Sequence, residues 1–168
     1  MIFRPSSSLQ NKSPMEKTNV MRILDAKKIK YTPHSFPCPE AMSADEVARL
    51  LGIEEKFVFK TLVTVGKSGK YFVFVVPATA ELDLKLAAKA AGEKSIEMIK
   101  SKELLPLTGY IHGGCSPIGM KKFFPTFIDA SAEELDKFYF SAGKLGYQIE
   151  TDLSQLRRAI KITAARLC

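Results

Sequence analysis

Two β-rich runs, Phe57 to Val65 and Lys70 to Val76, flank the short segment Gly66-Lys67-Ser68-Gly69. Strand-forming residues on both sides of a glycine-bounded turn specify an antiparallel hairpin. Parallel strands need a crossover of a dozen residues or more, so this turn breaks any strict alternation of strand and helix. The fold class follows: α+β, with a mixed and mostly antiparallel sheet.

The flanking segments supply the helices. Met15 opens a helical pattern with Val20, Ile23 and Leu24 at helical spacing, giving an expected helix from Glu16 to Lys28. Tyr31 to Phe36 reads as a short strand, and Pro37 and Pro39 mark a loop. Ser43 with Glu46 three residues later forms a capping box for a helix that stops near Gly52. Asp83 caps an Ala-rich helix from Leu84 to Ala91, and Gly92 ends it. Short elements continue through Ile96–Met98, Lys102–Leu105, Thr126–Asp129, Ala132–Lys137, Phe138–Ser141, Tyr147–Ile149 and Asp152–Ile160, without an internal repeat.

Domain organisation is simple. The 168 residues fit one core, and Met1 to Pro14, rich in Ser and Pro and without periodicity, read as a flexible extension of vector or upstream-start origin. Residues 15–168 form the expected domain. Lys and Arg number 25 against 18 Asp and Glu, a net charge of +7 that favours polyanionic partners and names no activity. Arg4 and Lys12 are the only charges in the first fourteen residues, so the basic excess survives without them. The longest strongly apolar stretch, Tyr71 to Ala80, contains Pro77 and falls far short of the roughly 20 residues a membrane helix needs. Cys38, Cys115 and Cys168 are an odd number without CxxC spacing, which points to reduced thiols in the cytoplasm.

Chemistry concentrates in three places. Lys60 interrupts the strand Phe57-Val58-Phe59-Lys60-Thr61-Leu62-Val63, whose other positions suit burial on both faces. An unpaired ammonium is costly to bury, so Lys60 must reach solvent, a charged partner or an anionic ligand. The glycine-dense run Thr108-Gly109-Tyr110-Ile111-His112-Gly113-Gly114-Cys115-Ser116-Pro117-Ile118-Gly119 offers backbone N–H groups either to a tight turn or to a ligand oxygen. Ser141-Ala142-Gly143-Lys144 ends a strand in a small-residue turn that can present a hydroxyl at a sheet rim. No Ser-His-Asp triad, P-loop or dinucleotide fingerprint is assembled. His34 with Cys38 and His112 with Cys115 form only short ligand pairs, and no metal is assigned to them. Cys115 is either a thiolate beside the glycine run or a small buried hydrophobe.

From Met15 to about Arg158 the chain resembles the YbaK/EbsC family of aminoacyl-tRNA editing deacylases, in particular its Cys-tRNA(Pro) deacylase branch. Four segments in the family's order carry the resemblance: Phe59-Lys60-Thr61-Leu62; Leu82-Asp83-Leu84-Lys85; Thr108-Gly109-Tyr110 with Gly113-Gly114-x-Ser116-Pro117-x-Gly119; and Ser141-x-Gly143-Lys144. It implies the YbaK/ProRS-associated editing-domain fold, with a barrel-like, mixed and mostly antiparallel sheet flanked by helices. It also implies removal of cysteine mischarged on proline tRNA. Lys60 matches the lysine expected to hold the terminal adenosine and phosphate. Gly113 matches the glycine whose N–H polarises the scissile carbonyl, and Ser141 the pocket serine. Thr61, Phe36, Gly114, Ser116 and Lys144 fall among the substrate-binding positions.

The resemblance implies no cofactor or metal. In the family's proposed mechanism the substrate's own sulfur attacks the ester carbonyl and leaves as a thiolactone. Expected partners are the acceptor end of an aminoacyl-tRNA and, in a ternary complex, prolyl-tRNA synthetase, with monomer and homodimer both open. Lys85, Lys89, Lys121, Lys122, Lys144, Arg157 and Arg158 are candidate RNA contacts. Phe36 stands where the family commonly has tyrosine, Ser43 where an aromatic precedes the helix, and Ala142 and Leu145 replace a common Gly and Arg. Those departures keep two alternatives open: a deacylase for another small amino acid, Ala or Ser, and a noncatalytic module that binds RNA ends or nucleotides.

Overall fold

Alternation along the central hairpin decides how the layers are arranged. In the computed structural model, which describes residues 15–168, β2 (Phe59–Gly66) pairs antiparallel with β3 (Tyr71–Pro77), Thr61 opposite Val75 and Val63 opposite Val73. Phe72, Phe74 and Val76 point to one side of the sheet and Val73 and Val75 to the other, as the two-residue period requires. Each side therefore buries its own cluster. The turn is held by Glu93, whose carboxylate accepts the Ser68 N–H at 3.0 Å and the Ser68 hydroxyl at 2.7 Å.

The larger cluster lies on the Val73/Val75 side. It takes Val20, Met21 and Leu24 from α1 (Asn19–Ala26) and Leu153, Leu156 and Ala159 from α5 (Leu153–Ala159). Phe138, Phe140 and Ile149 complete it from β6 (Phe138–Ser141) and β7 (Tyr147–Thr151). Burying each of these aromatic side chains contributes about 1.5–3 kcal/mol from its area alone. On the opposite side, α3 (Leu84–Ala91) lays Ala87 and Ala88 against Phe72, Phe74 and Val76, and the small residues bring helix and sheet close.

The strands form two open sheets. One has the order β1-β7-β6, with β1 (Thr32–Ser35); the other has β4-β2-β3-β5-β8, with β4 (Ile96–Met98), β5 (Thr126–Asp129) and β8 (Thr163–Ala165). The β3–β5 and β5–β8 pairs are parallel and the rest antiparallel, in keeping with a mixed, mostly antiparallel arrangement. The barrel-like closure expected from the resemblance is corrected: among the described residues the sheets meet only at a parallel bridge between Val58 and Tyr139. Beyond that bridge the edge of β2 is free until β4 joins it at Thr64, and the opening holds a cavity.

Local signals stand where the chain placed them. Glu46 reaches back to the Ser43 N–H at 3.4 Å to open α2 (Ala44–Leu51), and Gly52 closes it in the left-handed conformation. Asp83 accepts the N–H groups of Lys85 and Leu86, and Gly92 closes α3. The first helix is shorter than Glu16–Lys28, because Thr18 accepts the Met21 N–H at 3.3 Å as its N-cap and Lys28 turns to φ +56°. Residues Ala132–Glu134 belong to a 3-10 turn, Ala130–Glu134, and the Lys102 segment lies in α4 (Ser101–Thr108). The expected extension, residues 1–14, lies outside the described residues. Among the described residues no helix is long and apolar enough to cross a membrane.

Candidate active site

The free edge of β2 forms one wall of a cavity of about 280 Å³. Val58, Phe59, Lys60, Thr61 and Leu62 line it from this side, and Met42, Ser43 and Val47 close it from the loop before α2 and from α2 itself. Lys60 is half-buried here, and among the described residues its ammonium makes no salt bridge. The sequence contradiction thus has a location: a cation in an apolar strand opens onto a cavity. A ligand anion there would gain a charge-assisted contact in partly desolvated surroundings.

His112, Gly113 and Cys115 of the glycine run line a second wall. Gly113 has φ +85°, and a Cβ at this position would lie 2.8 Å from Ala41 Cβ and 2.9 Å from Leu145 Cδ2. Both conformation and space therefore demand glycine. The Gly114 N–H donates to Ile111 O at 3.0 Å, whereas among the described residues the Gly113 N–H has no protein acceptor. A carbonyl or oxyanion could take that donor. Burial pushes the Cys115 thiol up to about 12, so at neutral pH it is a protonated, small wall residue and not a thiolate.

The three-stranded sheet supplies the third wall through Ser141 and Gln148, which face each other across the β6–β7 pair. Ser141, 7% exposed, accepts the Gly143 N–H at 3.1 Å and keeps its own O–H to donate. Gln148 is 9% exposed, and among the described residues its Oε1 has no hydrogen-bond partner; the same is true of Thr61 Oγ1. Two residues of the lining thus each carry a buried polar atom without a partner among the described residues. Among the lining residues the ionisable side chains are Lys60, His112 and Cys115, and none is a carboxylate.

The cavity thus brings together Lys60, Thr61, Gly113 and Ser141 of the residues singled out in the sequence. Four others stand behind or outside it. Phe36 packs on Val47, Ala48 and Val58, and donates its N–H to Gly146 O at 2.9 Å, so it backs one wall. Gly114 is buried against the Lys144–Leu145 backbone. Ser116 is fully buried and accepts the Ile118 N–H at 3.3 Å. Lys144 pairs with Glu16 at 3.0 Å and lies 5.2 Å from the centre of the Tyr147 ring.

Lys85, Lys89, Lys121, Lys122, Arg157 and Arg158 are exposed and line none of this cavity, and Arg157 pairs with Glu133 at 3.7 Å. His34 is held by Glu150 at 2.7 Å. Among the described residues no three His, Cys, Asp or Glu side chains gather as a metal site would require. The sequence reading missed Gln148. Its signal was a polar residue between the apolar Tyr147 and Ile149, which alternation turns away from the core.

Comparison with known proteins bears on this geometry. The family model of the aminoacyl-tRNA editing domain matches residues 38–159. The chain is 48% identical over 143 residues to "Putative Cys-tRNA(Pro)/Cys-tRNA(Cys) deacylase EbsC" of Enterococcus faecalis (strain ATCC 700802 / V583), covering 84% of this chain and 87% of that one. It is 28% identical over 109 residues to a proline–tRNA ligase of Shouchella clausii (strain KSM-K16), covering 65% of this chain but 19% of the ligase. The chain therefore spans about a fifth of that enzyme. The solved structure of "a putative trans-editing enzyme for prolyl tRNA synthetase" superposes with a TM-score of 0.77 at 23% identity, over 90% of this chain and 98% of the other, a likeness of fold. A family match over most of the described residues, and near-half identity to a relative of similar length, settle the membership: this chain belongs to the aminoacyl-tRNA editing domain family.

Proposed function

We propose that this protein is a trans-editing deacylase that removes cysteine mistakenly esterified to proline tRNA, with residues 15–168 as its editing domain. The observation that carries the reading is the chemistry of the cavity wall. It offers a cation at Lys60 and a free N–H at Gly113, but neither a carboxylate base nor a thiolate. Such a site suits a substrate that brings its own nucleophile. The name of the relative at 48% identity supports the same substrate.

In the proposed reaction Lys60 and Thr61 hold the terminal nucleotide and its phosphate, Ser141 donates to the substrate, and the Gly113 N–H polarises the ester carbonyl. The cysteine sulfur bonds to the carbonyl carbon, and the carbon–oxygen bond to the ribose breaks. The ribose oxygen leaves with a proton, freeing tRNA and a cyclic thiolactone. The protein supplies orientation and electrostatic stabilisation. Alanine and proline carry no thiol, so selection rests partly on the substrate's own chemistry. The basic surface would add salt-dependent RNA binding with little sequence preference. Choice of tRNA would then fall to prolyl-tRNA synthetase in a ternary complex, in the cytoplasm where translation runs; the likeness to part of a proline–tRNA ligase supports that partner.

The test is to incubate the protein with Cys-tRNA(Pro) and Ala-tRNA(Pro), beside the Lys60→Ala variant. Cysteine is expected to be released, as thiolactone, and alanine retained. If neither tRNA loses its amino acid faster than without protein, the enzymatic reading fails and the noncatalytic binding module takes its place. Clearance of the alanyl ester alone would overturn the thiolactone route.

A further inference from the structure

We propose that Tyr110 is a positioning residue for the deacylation, fixing the Gly113 N–H and the Ser141 hydroxyl relative to each other from behind the cavity wall. The inference rests on the editing reading above. Tyr110 is 8% exposed and is not among the residues that line the cavity, so any effect it has on the reaction passes through its neighbours. Those neighbours are the two segments that carry Gly113 and Ser141.

The first is the glycine run. The Tyr110 N–H donates to Thr108 Oγ1 at 3.0 Å, at the end of α4, and the Tyr110 hydroxyl donates to the Ile118 carbonyl. Residues 110–118 are thereby clipped into a loop closed at its base, and Gly113 stands within it. A Cβ at Gly119, just beyond the clip, would lie 2.8 Å from Tyr110 Oη, so the backbone there packs directly on the phenol. The second segment is the turn after β6. A Cβ at Gly143 would lie 2.9 Å from Tyr110 Cε1, so the ring edge rests on the Gly143 backbone. The Gly143 N–H in turn donates to Ser141 Oγ at 3.1 Å. One ring thus spaces the loop from the turn. Burial, and then the Cys115 thiol, push the phenol up to about 12, so the hydroxyl remains a donor across the neutral range.

Donors aimed at a developing oxyanion act only if their geometry is set before the reaction, and an error of about 1 Å costs on the order of 100-fold. Gly113 is held at the tip of its loop by Ala41 and Leu145, but the base of the loop depends on Tyr110. Lys60 stands on β2, apart from these contacts, so anchoring of the phosphate is independent of them. Loss of Tyr110 should therefore fall on kcat and spare KM.

The experiment is steady-state kinetics of cysteine release from Cys-tRNA(Pro) by the intact protein, Tyr110→Leu and Tyr110→Phe, each well below its measured melting temperature. Tyr31→Phe is the stability control: Tyr31 packs on the same core cluster and donates its hydroxyl to Asp25 at 2.8 Å. Tyr110→Leu, which removes both spacer and clip, is expected to lower kcat about 100-fold with KM changed by less than about threefold. Tyr110→Phe keeps the spacer and loses only the clip, so kcat should recover to about three- to tenfold below the unmodified protein, the size of one hydrogen bond. Tyr31→Phe should lower the melting temperature and leave kcat unchanged. A folded Tyr110→Leu with undiminished kcat, a loss confined to KM, or an equal loss of kcat in Tyr31→Phe overturns the inference and leaves the editing reading standing. Should Tyr110→Leu fail to fold, Tyr110→Phe decides alone, and an unchanged kcat overturns the inference. Failure of the unmodified protein to release cysteine overturns the editing reading and the inference together.

Discussion

Thr61 and Gln148 come from different sheets, yet both residues line one cavity, and among the described residues the buried Thr61 hydroxyl and Gln148 carboxamide oxygen find no hydrogen-bond partner. Native interiors seldom leave buried polar atoms in this state. Both residues line, with Lys60, the gap where β2 and β6 part.

The binding role proposed for Lys60 carries an expected expense in stability. Its ammonium is half-buried and, among the described residues, forms no ion pair. Lys60→Ala is expected to lower kcat/KM for deacylation by roughly 10- to 100-fold, the loss of one charge-assisted contact. The melting temperature should stay level or rise, since no native partner is lost. A thermal melt beside the kinetics checks both, and a marked fall in melting temperature would contradict the assignment.

Gly113 and Gly52 form a matched pair of probes. Both have positive φ, +85° and +70°, but a Cβ at Gly52 meets nothing within 4 Å, whereas one at Gly113 meets Ala41 and Leu145. Each change to alanine should cost about 1–2 kcal/mol of conformational strain. Only Gly113→Ala should also abolish deacylation, by displacing Leu145 and the cavity-lining Ala41. Urea denaturation and initial rates distinguish strain from loss of the site.

Glu150 accepts hydrogen bonds from His34 at 2.7 Å and Lys137 at 3.1 Å. Partial burial alone would raise its carboxyl pKa, but the hydrogen bonds from His34, Lys137 and Tyr139 outweigh it and hold the pKa below the usual 4.5. A group with a depressed folded pKa stabilises the native state above its unfolded value and ceases to do so as pH falls through the folded one. Glu150→Gln should therefore lower the melting temperature at pH 7, and the difference should shrink progressively below pH 4.5. A difference that stays constant from pH 7 into acid would refute this linkage.

Cys115 is sealed in the cavity wall with its thiol pushed up to about 12, while Cys38 is half-buried and Cys168 exposed. Burial and then Asp129 push the Cys168 thiol up to about 11, so iodoacetamide at pH 8 should modify Cys38 first, Cys168 more slowly, and Cys115 only after unfolding in urea. Peptide mass spectrometry over a time course reads the order directly.

Leu167 is fully buried in the cluster beneath α3. Its N–H donates to Asp129 at 2.9 Å, and its carbonyl accepts the Asp83 N–H at 2.8 Å, at the cap of that helix. Leu167→Ala should destabilise the fold by about 2–5 kcal/mol, as cavity-forming substitutions do. Chemical denaturation measures it; a loss below 1 kcal/mol would mean that the segment frays without consequence.

Much of this molecule was legible in its residues because the governing interactions are local. Two strand-forming runs around a glycine-bounded turn define the β2–β3 hairpin, caps within three or four residues define the ends of α2 and α3, and Lys60 stands out against its own strand. Glycine density marked the run from Thr108 to Gly119, within which the family resemblance singled out Gly113. Other features depended on contacts between distant segments. His34 pairs with Gln148, and Ile128 with Ala164, across segments far apart in the chain, and no local propensity records that choice. That is why Gln148 passed unnoticed, why β8 was missed, and why Gly114 and Ser116 lie outside the cavity lining although Gly113 and Cys115 beside them line it, with Phe36 and Lys144 outside it as well. Local chemistry marked the cation and the glycine backbone, while packing of the two sheets determined which polar atoms they face.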